Sequence, residues 1–218
     1  MSVIEIENLN KMFKQNVVFQ NLSFKCDSNK IIGIVGENGA GKSVLFKLIA
    51  GFIKPNSGKI IIDGVDLNKN NVFPPSLGVL IEEPSFLPDI TGYENLKLLA
   101  SIKNKITDDQ ILKTLDRVNL TKDKDKKVKH YSLGMKKKLG IAQAIMESQQ
   151  LILLDEPMNA LDEESVKSMR SLFKLIADDG ATILIASHNS EDIIQLCQKV
   201  YKIENNQLVD RTAEIISI

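Results

Sequence analysis

The sequence predicts an α/β protein: a mostly parallel sheet, an antiparallel β edge near the N-terminus and an inserted α-helical segment. Three observations carry this. The short apolar runs Lys30–Val35, Leu151–Leu154 and Thr182–Ala186 have the length and continuity of strands buried on both faces. Helical patterns at Ser43–Gly51 and Glu163–Asp178 alternate with those runs, which implies parallel strands joined by right-handed crossovers. The middle of the chain, from about Pro84 to Met146, reads as consecutive helices.

In chain order, Val3–Leu9 and Val17–Lys25 are rich in branched apolar residues separated by polar ones and read as antiparallel strands. Lys30–Val35 ends at a glycine, and the helix Ser43–Gly51 stops at another. Lys59–Asp63 is a strand closed by an Asp63-Gly64 turn. Helices follow over Tyr93–Ile102, Asp108–Val118 and Leu133–Met146, the second announced by Thr107 before Asp108, Asp109 and Gln110. Lys122–Lys129 is a lysine-rich break, expected as a solvated loop, and His130 beside it is expected to be an ordinary surface residue. Lys199–Ile203 and Gln207–Asp210 form a hairpin about Asn205-Asn206, and a short tail, Ala213–Ile218, follows it with no regulatory domain in view.

Composition narrows the function. The 218 residues, 43% hydrophobic and 26% charged, suffice for a sizeable core and exclude global disorder. Lys plus Arg and Asp plus Glu are 28 each, so binding nucleic acid by bulk charge is not expected. Two cysteines, Cys26 and Cys197, cannot build a disulfide framework or a four-ligand zinc site and are expected as reduced, partly buried thiols. No apolar run approaches the roughly 18 residues that span a bilayer, and the acidic N-terminus is unlike a secretory signal.

Gly36-Glu37-Asn38-Gly39-Ala40-Gly41-Lys42-Ser43 matches G-x-x-x-x-G-K-[ST] at every fixed position, after a strand and before a helix. Its glycines let the backbone wrap phosphate oxygens, and the helix N-terminus adds partial positive charge. Lys42 is expected to reach the β- and γ-phosphates and Ser43 to offer its hydroxyl to Mg²⁺, with Val44 completing the nucleotide-binding positions. Leu151-Ile152-Leu153-Leu154-Asp155-Glu156-Pro157 delivers two carboxylates to the end of a buried strand, where open α/β sheets bind ligands. Asp155 is the candidate for Mg²⁺, and Glu156 the candidate general base for an attacking water. His188 follows the strand Thr182–Ala186 and falls near the same place, suited to bond the γ-phosphate or that water.

These motifs, in this order along nearly the whole chain, resemble the ATP-binding cassette (ABC) family, the nucleotide-binding subunits of ABC transporters. The resemblance implies further assignments. Phe13 lies where the family stacks an aromatic ring on adenine. Glu82, in Val79-Leu80-Ile81-Glu82-Glu83-Pro84, holds the glutamine-loop position, with contacts to Mg²⁺ or water and to the permease. Tyr131-Ser132-Leu133-Gly134-Met135 holds the position of the signature Leu-Ser-Gly-Gly-Gln, so Ser132 and Gly134 would meet the γ-phosphate of a second subunit. Asn159-Ala160-Leu161-Asp162 resembles the dimer-contacting loop, and His188 the switch histidine. Glu82, Leu133 and Met135 depart from the family pattern. Glu82 adds charge beside Asp155 and Glu156. Lys136-Lys137-Lys138 after the signature has two readings, a charge that favours an anion nearby or a solvated face, and the solvated face is the one expected.

Ile-Glu-Glu-Pro, Tyr-Ser-Leu-Gly-Met and Pro88-Asp89-Ile90-Thr91-Gly92-Tyr93-Glu94-Asn95-Leu96 together resemble one branch, the ATPases of bacitracin and lantibiotic export and immunity systems. The resemblance implies one ABC domain over 1–218: 1–83 and 150–218 as a catalytic lobe with its β edge, and 84–149 as the helical lobe carrying the signature. It implies ATP and Mg²⁺ as cofactors, a second ABC ATPase subunit (identical or related) sandwiching ATP, and an integral-membrane permease contacting the surface near Phe86–Tyr93. The chain would then lie in the cytoplasm on the inner face of a bacterial cell membrane, energising export of antimicrobial or toxic peptides. The alternatives are transport of another substrate, in either direction, and a soluble non-transport ABC ATPase. The last would need a long coiled coil or a second cassette, and neither is present. A GTPase would need Asn-Lys-x-Asp, and Asn68-Lys69-Asn70-Asn71 lacks the aspartate.

Overall fold

The computed structural model describes residues 2–70 and 72–216. Asn71, at the end of the near match to a base-reading motif, and the last two residues of the tail lie outside them. The chain opens with two long strands, β1 (Ser2–Phe13) and β2 (Asn16–Asp27), paired antiparallel. From Leu22 onward β2 alternates buried and exposed residues, with Leu22, Phe24 and Cys26 facing inward, as a strand with one wet face should. β3 (Ile31–Val35) leads through the glycine-rich loop into α1 (Lys42–Ile49). β4 (Ser57–Ile62) and β5 (Val65–Asp66) form a hairpin on Asp63-Gly64, both at positive φ, followed by α2 (Leu67–Asn70). These strands make a four-stranded antiparallel sheet in the order β2-β1-β4-β5.

β6 (Leu77–Leu80) enters the second sheet. It was not expected from sequence, because four residues with a central glycine carry no periodicity. Next come α3 (Gly92–Lys103), α4 (Asp108–Arg117), two short 3-10 turns and α5 (Leu133–Ile145). Thr91 and Thr107 start α3 and α4 with reciprocal capping boxes to Glu94 and Gln110. The lysine-rich break is solvated as expected, with Lys122, Lys126, Lys127 and Lys129 exposed, yet it is anchored. It overlaps both 3-10 turns, buries Val128, and bonds back to the segment before α3 through Val128 N–H to Ile90 O and Lys129 N–H to Pro88 O.

The chain then alternates β7 (Leu151–Asp155), α6 (Glu163–Asp178), β8 (Thr182–Ala186), α7 (Ser190–Leu196), β9 (Lys199–Glu204) and β10 (Gln207–Asp210), with α8 (Thr212–Ile216) covering part of the expected tail. Asn205 and Asn206 both take positive φ in the last hairpin, as a two-residue turn demands. The six-stranded sheet runs β10-β9-β3-β8-β7-β6, with β10 alone antiparallel to its neighbour.

Strand alternation divides the core into two layers. Ile32, Ile34, Leu151, Leu153, Leu184 and Ala186 point into a cluster shared with α1 and the antiparallel sheet. Ile31, Ile152, Leu154, Ile183 and Ile185 point the other way, into a cluster shared with α5 and α6. The sheet is therefore covered on both faces. Its strand ends, where Ile34, Ala186 and Asp155 stand in register, are the place left open for chemistry.

Candidate functional site

Those strand ends face a cleft of about 660 Å³ lined by the glycine-rich loop, Glu82-Glu83-Pro84, Asp155 and Glu156, and residues of α5 and the loop after β7. Gly39 and Gly41 hold φ of 82° and 110°, which disfavour any side chain. At Gly41 a Cβ would also come within 2.7 Å of Val18 Cγ1. Lys42 is buried and donates from Nζ to the carbonyls of Gly36 at 2.8 Å and Glu37 at 3.2 Å, so its ammonium sits inside the loop. Ser43 Oγ donates to Asp155 Oδ2 at 2.5 Å, joining loop to strand end.

Glu156 leaves the strand at φ 48°, and its N–H donates to Ala186 O at 2.9 Å. Its Oε2 accepts the His188 N–H at 3.4 Å and lies 2.9 Å from His188 Nδ1. The histidine side chain is 64% exposed and the glutamate 23%, so the pair opens to solvent from a buried base. Among the described non-glycine residues at positive φ that are neither Asn nor Asp (Lys14, Glu82, Ser148, Glu156 and Ala160), three line this cleft. Backbone strain of this kind gathers where geometry is held for function.

The structure thus brings together Asn38, Gly39, Gly41, Lys42, Ser43, Val44, Glu82, Asp155 and Glu156, with His188 joined through Glu156. Gly36, Glu37 and Ala40 line the adjoining hollows on the β9 side of the loop. Glu82 lines the cleft, yet its carboxylate is engaged by Lys47 Nζ of α1 at 2.5 Å. Phe13 is not among the cleft residues. It ends β1, 45% exposed, with Lys11 Nζ 4.6 Å from its ring centre. Ser132 caps α5, accepting the Met135 N–H, and a Cβ on Gly134 would lie 2.8 Å from Ala160 O. The signature segment therefore rests on the loop that follows Asp155.

One expectation is corrected. Lys136-Lys137-Lys138 is not a solvated face, because Lys137 is 8% exposed and lines the cleft. It shares the inward i, i+4 stripe of α5 with Ile141 and Ile145, a phase that the lysine run hides. Burial pushes its ammonium below the usual lysine range, and the carboxylates of Asp155, Glu156 and Glu83 act against that shift.

The residues present suit Mg²⁺. A serine hydroxyl and a buried carboxylate already converge, and this ion binds one or two protein oxygens together with phosphates and waters. Among the described residues no cluster of three or more His, Cys, Asp or Glu forms an all-protein metal cage.

Residues 19–159, carrying the glycine-rich loop, the signature segment and the acidic strand, match the family model described as ABC transporter. The chain belongs to the ABC transporter family.

It is an ATP-binding, ATP-hydrolysing subunit of that family. It is 41% identical over 206 residues to the ABC transporter ATP-binding protein YybJ of Bacillus subtilis, covering 94% of each chain. To the bacitracin transport ATP-binding protein BcrA of Enterococcus faecalis it is 37% identical, over 95% of this chain and 68% of that protein. To the lantibiotic transport ATP-binding protein SrtF of Streptococcus pyogenes it is 30% identical, over 95% and 89%. The fold matches the dimeric ATP-binding cassette MJ0796 bound to ADP and Pi with a TM-score of 0.85 at 21% identity, covering 94% of this chain and 96% of that one. Among the described residues no helix of this ABC subunit is long and apolar enough to cross a membrane.

Proposed function

We propose that this ABC subunit energises export of antimicrobial or toxic peptides through a separate membrane permease, from the cytoplasmic face, and that it works as one of two cassettes closing on ATP. The observation that carries the hydrolytic part is the Glu156–His188 pair at 2.9 Å beside the Ser43–Asp155 bond at 2.5 Å. The peptide part is supported by likeness to the bacitracin and lantibiotic transport proteins and by the branch-like Ile-Glu-Glu-Pro and Tyr-Ser-Leu-Gly-Met segments.

In this reading residues 1–83 and 150–218 form the catalytic lobe and 84–149 the helical lobe. The loop Gly36–Val44 grips the phosphates, Lys42 turns from its own carbonyls to the β- and γ-phosphate oxygens, and Phe13 stacks on adenine. Ser43 and Asp155, with Glu82 nearby, would hold Mg²⁺, which would supply charge neutralisation on the phosphate oxygens when bound. Glu156 takes a proton from the attacking water as the water oxygen bonds to the γ-phosphorus and the bond to the leaving ADP oxygen breaks. His188 holds the carboxylate in place and presents its other nitrogen to the γ-phosphate. Ser132 and Gly134 of each cassette face the γ-phosphate in its partner, so ATP favours the closed pair through contacts made only there. The surface near Phe86–Tyr93 receives the permease.

The test is a strain lacking this gene, challenged with bacitracin, lantibiotics and non-peptide antibiotics. Increased sensitivity confined to peptides, reversed by the wild-type gene and not by Glu156→Gln, is the expected result. Unchanged peptide sensitivity sinks the peptide reading and leaves the ATPase assignment standing.

A further inference from the structure

Behind His188 lies a buried polar cluster that nucleotide chemistry does not use directly. Arg170 of α6 and Asp192 of α7 are 7% and 3% exposed. Arg170 donates from Nε at 2.9 Å and from Nη2 at 2.5 Å, both to Asp192 Oδ1. The other oxygen, Oδ2, accepts Ser187 Oγ–H at 3.2 Å, and Ser187 Oγ accepts the Asn189 N–H at 3.1 Å. Ser187 and Asn189 flank His188 on either side. We infer that Arg170, Asp192 and Ser187 are positioning residues for ATP hydrolysis: their buried chain of bonds sets the three-residue turn between β8 and α7 so that His188 meets Glu156.

Three physical points carry this. A side chain as exposed as His188 is not aimed by packing, so its backbone must aim it. A buried ion pair contributes little net stability compared with apolar side chains of the same volume, whereas it does impose direction. Here the direction is explicit, since Asp192 commits one oxygen to the guanidinium and the other to the serine before the histidine. Ser187 has a donor bond and an acceptor bond, so its hydroxyl cannot rotate away without losing one. The same turn brings the His188 N–H and its ring to one oxygen of Glu156. Displacing such a pair by about an ångström is enough to cost turnover without loss of binding.

This inference rests on the role proposed above for His188, and the experiment separates the two. The full chain has two histidines, so His130→Gln leaves His188 as the sole imidazole signal in ¹⁵N spectra. In the nucleotide-free protein, Ser187→Ala and Arg170→Met should move the His188 Nδ1 resonance to its position in Glu156→Ala, while Ser187→Thr, which keeps the hydroxyl, should leave it in place. Thermal melts check that each variant is folded, and Ser187→Ala, which removes one atom, stands if Arg170→Met is not. In steady-state assays Ser187→Ala should lower kcat about tenfold with KM for ATP unchanged, and should cause no further loss in a His188→Ala background. An unmoved resonance, an unchanged kcat, or an equal fractional loss in both backgrounds overturns the inference. If His188→Ala itself keeps full kcat, the role given to His188 falls, and the resonance alone decides whether these bonds aim the ring.

Discussion

Lys42 and Glu156 divide the work of the cleft, and their substitutions should fail differently. Lys42→Ala removes a buried ammonium whose charge-assisted bonds contribute about 1.5–3 kcal/mol. The dissociation constant for ATP should therefore rise roughly ten- to a hundredfold, read by calorimetry or a fluorescent nucleotide. Glu156→Gln keeps the shape of the site and removes the base. Turnover should fall by a factor of about 10² or more while ATP binding persists, and chromatography with ATP should show a trapped pair of cassettes. Wild-type turnover in that variant excludes Glu156 as the base; a persistent monomer excludes closure on ATP. Glycine spacing, the acidic strand end and the strand before His188 made these positions legible in sequence, since each depends on neighbours along the chain. Lys47 beside Glu82 and Lys137 in the cleft were hidden, because their placement depends on how α1 and α5 dock.

Among the described glycines, Gly78 of β6 leaves the least room for a side chain, because α5 lies against it. A Cβ on Gly78 would overlap the carbonyl of Ala144, backbone that cannot step aside. Gly78→Ala should cost about 3 kcal/mol or more, seen as a lowered urea midpoint with an unchanged slope. Full stability in that variant would mean that β6 and α5 sit farther apart than described. The helix over Glu163–Asp178 and the strands of the central sheet could be read in sequence because buried strands are continuous and amphipathic helices periodic. β6 was too short for either signal. α7 is also short, and its one local signal is the helix start of Asn189 followed by Glu191 and Asp192.

At the scale of the whole molecule, the two core layers each bury a thiol. Cys26 lies under the antiparallel sheet and Cys197 against the helices, and burial pushes both thiols up to about 12. A raised folded-state value favours the folded chain while the thiols stay protonated. That contribution is complete below about pH 8.5, where the unfolded chain begins to ionise, and is lost as pH climbs towards 12. Stability should therefore drop between pH 9 and 12, less steeply in Cys26→Ala, and thiol reagents should react quickly only after unfolding. Rapid reaction of both thiols in the native protein would contradict their burial. The order of strands has another result. β3, which carries the phosphate loop, is hydrogen-bonded on one side to β8 and on the other to β9, both of which follow it by about 150 residues or more. A ribosome that has exposed the chain as far as α6 has released the whole glycine-rich loop, yet the strand before that loop still has two bare edges. Nucleotide can enter a finished pocket only once β8 and β9 have both been made and docked.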